Sequence, residues 1–240
     1  MNSLWLDSNQ KTNKYQSLSN DLETDVCIIG AGIFGLTCAY YLTHLGFQVT
    51  VLEKDEIAQK TTGHTTAKIT SQHNLFYDYL IHSYGKKFAS DYLEANEQAI
   101  KNIKKIIDTE KIKCDFEYQN SYVYTTQKSE INTIKKEVSA VTSLGFPCEF
   151  VTKTGLPFEI EGAICFKKQA QFHPLKYVYG LCDAISSFDG KIYTNTVVTN
   201  VENNMDSTYL ISTNHGTVKS KFVIVASHYP FINFPRTLLS

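Results

Sequence analysis

Gly30, Gly32 and Gly35 stand in the spacing G-x-G-x-x-G, and Glu53 follows 23 residues after the first of them. Residues of these types at this spacing can hold a dinucleotide. Gly30 permits a tight turn. Gly32 has no Cβ, so a pyrophosphate can approach the main chain, and Gly35 lets the next helix pack close to a sheet. Ile33 and Phe34 open that helix, whose free N–H groups and positive dipole end suit an anion. Glu53 stands where an acceptor for both ribose hydroxyls belongs, and its charge disfavours a 2′-phosphate. Lys54 follows it directly.

The flanking elements give this triplet its meaning. Residues 26–29 are an apolar run that reads as a buried strand, and residues 33–45 read as a helix stopped by Gly46. Residues 48–52 read as a second strand ending at Glu53. Strand, turn, helix, strand and acid therefore occur in the order of a nucleotide-binding βαβ unit.

Beyond this unit the regular alternation stops. Residues 1–23 are a polar arm with Trp5 and Leu6 as an isolated apolar pair. Residues 60–68, Lys-Thr-Thr-Gly-His-Thr-Thr-Ala-Lys, form a hydroxyl-rich loop around Gly63. Residues 73–84 read as helix, Gly85 punctuates, and a longer helix follows with apolar positions Phe88, Tyr92, Ala95, Ala99, Ile103 and Ile106. Residues 114–126 read as two strands about a turn at Gln119-Asn120. Helix returns over 128–144, strands around 148–151 and 158–167, and His173-Pro174 opens another helix. Residues 191–194, 197–201, 209–212 and 222–226 are again β-rich. The expected fold is α/β: a Rossmann-like, three-layer dinucleotide-binding domain over 24–75 and 155–235, interrupted by a mixed α+β domain over 76–154.

Composition narrows the partners. The 240 residues are 42% hydrophobic and 20% charged, with a formal net charge of −1. No basic stripe suggests nucleic acid. The N-terminus lacks an apolar signal region, and no stretch approaches the roughly 18 apolar residues of a membrane span. Six cysteines are scattered with no Cys-x-x-Cys or Cys-x-His, which points away from a metal site within this chain and towards small buried hydrophobes in a reducing, cytoplasmic setting.

With these residues in view, the chain resembles the D-amino-acid-oxidase-like (DAO) FAD-dependent oxidoreductases over most of residues 24–230. The resemblance rests on the glycine unit with Glu53, on Thr62-Gly-His-Thr-Thr-Ala-Lys68, on Ala170-Gln-Phe-His-Pro174, and on Val197-Val198 with the strand ending at Ala226. Ser227-His228 departs from the family's Ala-(Thr/Ala)-Gly ending. The Gly-His-Thr-Thr-Ala-Lys stretch is similar to that of members carrying a C-terminal Rieske iron–sulfur domain. Family members are longer, so the resemblance implies the N-terminal portion of such an enzyme, C-terminally incomplete, completed by a further part or a partner chain.

The resemblance implies FAD as cofactor and oxidation of a C–N bond in a small amine or amino acid by hydride transfer. A truncated, non-catalytic FAD-binding module and a nicotinamide-dependent dehydrogenase are the alternatives. Thr61, Thr62, Thr65 and Thr66, with Gly63 and Ala67, are expected at the flavin phosphates or ring; ordinary loop capping competes with that role. Val198 is expected on the adenine side and Ala226 near the cofactor. Lys68 would place charge near the flavin ring. His64 falls out of register with the family's flavin-proximal histidine, which lies nearer Thr66. His173 suits a structural role at a helix start. His228 is the one candidate for catalysis, since no catalytic triad or paired carboxylates emerge.

Overall fold

The computed structural model describes residues 3–8 and 14–227. The chain separates into two compact units, residues 1–66, 112–114 and 173–240, and residues 67–111 and 115–172. The inserted unit thus begins at 67 and ends at 172, where the sequence suggested 76 and 154. Residues 155–172 join it because they carry its central strand.

The first unit contains helix α1 (Leu4–Ser8), strand β1 (Leu22–Ile29), helix α2 (Ile33–His44) and strand β2 (Val49–Leu52). Strand β1 starts before the apolar run and includes Leu22. The preceding arm contributes Leu18, which is buried in the core rather than lying outside it. After the insertion come helix α5 (Pro174–Ser187) and strands β7 (Lys191–Tyr193), β8 (Val198–Asn203), β9 (Tyr209–Thr213) and β10 (Thr217–Val225). The sheet order is β7-β2-β1-β10-β9-β8. Strands β7, β2, β1 and β10 are parallel, with Val26 opposite both Val49 and Phe222. Strands β9 and β8 continue antiparallel.

Helices α2 and α5 pack together, and His44 of α2 sits 4.0 Å, centroid to centroid, from both Tyr40 and Phe188. A separate core joins Cys27, Ile29 and Leu52 to Val198 and Ile211 of the antiparallel strands. Helices, parallel strands and the β8–β9 hairpin are the layers of a Rossmann-like fold. All six cysteines are free, and burial pushes the Cys27 thiol up to about 12. Among the described residues, no helix is long and apolar enough to cross a membrane.

The second unit contains strand β3 (Lys68–Ile69), helix α3 (Tyr77–Thr109), strand β4 (Glu117–Thr125), helix α4 (Ile131–Ser143), strand β5 (Cys148–Val151) and strand β6 (Gly162–Gln171). All its strand pairs are antiparallel and centre on β6. The expected turn at Gln119-Asn120 is instead a register shift within the single strand β4, because β6 pairs with both halves. Helix α3 breaks at Gly85, where φ is +84°. Its buried positions beyond the break are Ala89, Leu93, Ile100, Ile106 and Ile107, while Phe88 is half exposed. Of the positions read from the spacing, Ile106 is buried and Tyr92 packs against the core, while packing on α4 and the sheet buries Ala89 and Leu93 in place of Phe88 and Ala95.

Glu137 of α4 is buried, and its carboxylate accepts N–H groups from Phe76 (2.7 Å), Tyr77 (2.7 Å) and Asp78 (2.9 Å) at the start of α3. It satisfies donors that a helix cannot satisfy itself. Glu137→Ala should therefore destabilise the protein by about 3 kcal/mol in urea unfolding, since buried donors lose a charged acceptor.

Candidate functional site

Strand β1 delivers the chain into the turn at Gly30. Its φ is +114°, and a Cβ there would lie 2.9 Å from the Ala226 carbonyl oxygen, so glycine is required on both counts. The Gly30 N–H donates to the Leu52 carbonyl at 2.8 Å, tying the turn to the end of β2. Glu53 then uses both oxygens. Oε2 accepts from Ala31 N–H at 2.8 Å and Oε1 from Asp55 N–H at 3.1 Å. One carboxylate thus fastens the glycine turn to the loop leaving β2.

Helix α2 starts with Gly32 as its N-cap, which has no side chain to offer. Thr62 supplies the cap from the hydroxyl-rich loop: its Oγ1 accepts the Ile33 N–H at 3.2 Å. A Cβ on Gly35 would stand 2.0 Å from the Gly30 oxygen and 3.2 Å from the Ala226 Cβ. The close approach of α2 to the turn therefore depends on this glycine.

Gly32 is different. Its φ of −84° and ψ of −178° suit any residue. Among the described residues a Cβ would meet only the Thr62 Oγ1, at 3.2 Å. Among the described residues, the backbone does not require glycine at this position, and the packing asks only that the Thr62 hydroxyl give slightly.

Gly32 faces a cavity of about 720 Å³, within the usual size of small-molecule sites. Of the residues expected from sequence, Gly30, Gly32, Ile33, Phe34, Glu53, Lys54, Thr61, Thr62, Val198 and Ala226 line it. Gly35, Gly63, Thr65, Thr66 and Ala67 are not among its walls. Gly35 is turned into the turn–helix contact. Gly63 is buried in a single 3-10 turn, Thr62–His64, where a Cβ would meet the Ala58 oxygen at 2.7 Å. The Thr65 carbonyl accepts the Trp5 indole N–H at 2.8 Å. Thr66 is exposed and closes the first unit, and Ala67 opens the second with φ of +60°.

The histidines and Lys68 sort similarly. His64 is exposed and bonds the Lys60 carbonyl through Nδ1 at 2.8 Å. Lys68 is exposed in the second unit. His173 is buried and caps α5, its Nδ1 accepting the Lys176 N–H at 3.4 Å. His228 lies outside the described residues.

The cavity also has walls that the sequence did not announce: Ala58, Gln59 and Lys60 in the loop after β2, Thr196 and Val197 before β8, and Ser227. Val197 and Ser227 adjoin predicted residues, so neighbourhood was their signal. Lys60 likewise adjoins Thr61; Ala58 and Gln59 had no signal, because the backbone path that brings them back, including φ of +58° at Ala58, depends on tertiary contacts. The walls combine the N-terminus of α2 and Lys54 with the carboxylate of Glu53, which suits a ligand with a phosphate part and a hydroxyl part.

A family model for FAD dependent oxidoreductases, DAO, matches residues 25–232. YhfW of Bacillus subtilis strain 168, which carries the name of a Rieske 2Fe-2S iron-sulfur protein, is 39% identical over 217 residues, 90% of this chain and 42% of YhfW. The gamma-glutamylputrescine oxidoreductase of Escherichia coli K12 is 26% identical over 229 residues, 90% of this chain and 52% of that one. The crystal structure of glycine oxidase from Geobacillus kaustophilus shares the fold, with a TM-score of 0.72 at 17% identity, over 85% of this chain and 55% of that one. The chain spans about half the length of the curated relatives it matches. Its glycine turn, the acid that secures it and the match across 25–232 agree: the chain belongs to the DAO family of FAD-dependent oxidoreductases.

Proposed function

We propose that this chain forms the FAD-binding part of an enzyme that oxidises a C–N bond of a small amine or amino acid, and that the cavity takes the ADP half of the cofactor. The observation that carries this is Gly32. It lines the cavity, a Cβ there would meet only the Thr62 hydroxyl among the described residues, and its backbone makes no demand for glycine. A pyrophosphate approaching that space would meet the N-terminus of α2, where backbone donors and the helix dipole favour negative charge. Lys54 adds positive charge to the same walls, while Lys60 pairs with Asp55 at 3.2 Å.

Glu53 holds the ribose in this reading. A carboxylate offers about four lone-pair directions, and the two backbone bonds use two of them. The others accept hydroxyls, while a 2′-phosphate would be repelled. Val198 packs the adenine side, where it lines the cavity. Bound FAD supplies the hydride acceptor; the residues described here bind and orient it. The similarity to YhfW, with its Rieske name, supports a whole protein that also carries an iron–sulfur domain.

The test is purification of the protein with its flavin absorbance, followed by turnover on amino acids and amines. Yellow protein is expected, with turnover in the whole protein of which this chain is the FAD-binding part. Yellow protein without turnover would make it a binding module, and colourless protein that refuses added FAD would overturn the assignment of the cavity. Glu53→Gln should weaken FAD binding by about 1–3 kcal/mol, the range for a lost charged hydrogen bond. An unchanged dissociation constant would leave Glu53 as a turn fastener only.

A further inference from the structure

Helix α1 buries none of its five residues, yet its contacts converge on the cofactor loop. Ser3 Oγ donates to the Gly63 carbonyl, and Trp5 Nε1 donates to the Thr65 carbonyl at 2.8 Å. Leu6 lies against Gly63, where an added Cβ would come within 3.3 Å of Leu6 Cδ2. On its other side, α1 meets His173. The rings of Trp5 and His173 pack edge to face at 5.2 Å, and Ser8 Oγ lies 3.1 Å from His173 Nε2. Because His173 Nδ1 accepts the Lys176 N–H, Nε2 carries the hydrogen and donates to Ser8. The Ser8 hydroxyl passes its own hydrogen to the Leu4 carbonyl at 2.5 Å.

The loop held in this way is the one that reaches the cavity. Thr62, in the same 3-10 turn as Gly63, caps the Ile33 N–H and is the group that a Gly32 Cβ would meet. The contacts therefore run without a break from α1, through the 62–65 turn, to the first donor of α2. A helix of five residues cannot hold itself together in water. Its order comes from this docking.

We propose that residues 3–8 are a strap that sets the 62–65 turn for the cofactor, with Trp5 and His173 as its positioning residues. Docking of the strap and binding of the ADP half strengthen one another by the same factor, as linkage requires. The proposal rests on the assignment of the cavity to FAD.

Trp5 is the single tryptophan of the chain, so indole emission reports the strap alone. ADP is the probe of choice, because it fills the same half-site without quenching indole as flavin does. Saturating ADP should lower the acrylamide quenching of Trp5, as a coupling between strap docking and ADP binding requires. Trp5→Phe keeps an aromatic ring and loses the N–H donor. Its FAD dissociation constant should rise about three- to tenfold, the worth of one hydrogen bond, with the unfolding midpoint of the unliganded protein nearly unchanged. Wild-type quenching indifferent to ADP, or a Trp5→Phe dissociation constant equal to wild type, would overturn the strap while leaving the cavity assignment intact. A binding loss matched by an equal loss of unliganded stability would overturn it as well. A wild-type protein that binds neither FAD nor ADP would instead remove the cavity assignment, and the strap with it.

Discussion

Gly32→Val should yield a protein that unfolds cooperatively near the wild-type midpoint and carries no FAD. The reason is the separation of roles within the glycine triplet. Valine adopts φ of −84° and ψ of −178° without strain, since this is extended backbone. The one atom in its way among the described residues is the Thr62 Oγ1, which need give by only a few tenths of an ångström and so can keep capping the Ile33 N–H. What the new side chain fills is the cavity space beside the N-terminus of α2. A pyrophosphate excluded from that space loses backbone donors and dipole together, so affinity should fall at least about a hundredfold, roughly 3 kcal/mol. Flavin absorbance after gel filtration, read beside a thermal melt, checks both halves. FAD retained at wild-type stoichiometry would refute the phosphate assignment.

Gly35→Ala should do the opposite: lose stability first and FAD as a consequence. An alanine Cβ at 2.0 Å from the Gly30 oxygen meets rigid backbone rather than a mobile side chain. Ala226 Cβ blocks the retreat at 3.2 Å. Helix α2 must move away from the turn, and its packing with α5 moves with it. Overpacking of this kind costs about 3 kcal/mol or more. Urea unfolding of the unliganded protein should show the shift directly. A wild-type midpoint would mean that the turn adapts, and that the closeness of α2 is not set by Gly35.

The pair is informative because the substitutions stand three residues apart in one motif. If both variants simply unfold, the cavity plays no part in explaining Gly32. If Gly32→Val folds and stays colourless while Gly35→Ala melts early, one glycine serves the ligand and the other the fold.

The βαβ unit was legible in the sequence for a physical reason. Its signals are local: an apolar run for a parallel strand buried on both faces, a glycine spacing that fixes a turn, a helix stopped by Gly46, and an acid at the next strand's end. These contacts join near neighbours in space that are also near neighbours in the chain. The layered α/β class followed from the return of β-rich segments after the insertion. The sequence also placed the break at Gly85, where helix α3 has its positive φ.

Tertiary structure decided the rest, wherever two local readings were equally good or where partners lie far apart. The stripe of α3 that meets the core is that of Ala89, Leu93 and Ile100, because helical spacing cannot rank adjacent stripes and packing can. Residues 162–171 belong to the second unit because β6 is the strand on which its sheet is built, and strand pairing is non-local. Glu137 looks like one more acid on an amphipathic helix until the start of α3 is brought against it. The same holds at the site. Thr62 was one of four threonines in a loop, and only the fold puts its hydroxyl on the Ile33 N–H and leaves Thr65 and Thr66 off the cavity wall. Trp5 sits 60 residues from Thr65; a pattern read along the chain carries no information about such a bond, since its geometry exists only once both segments are packed.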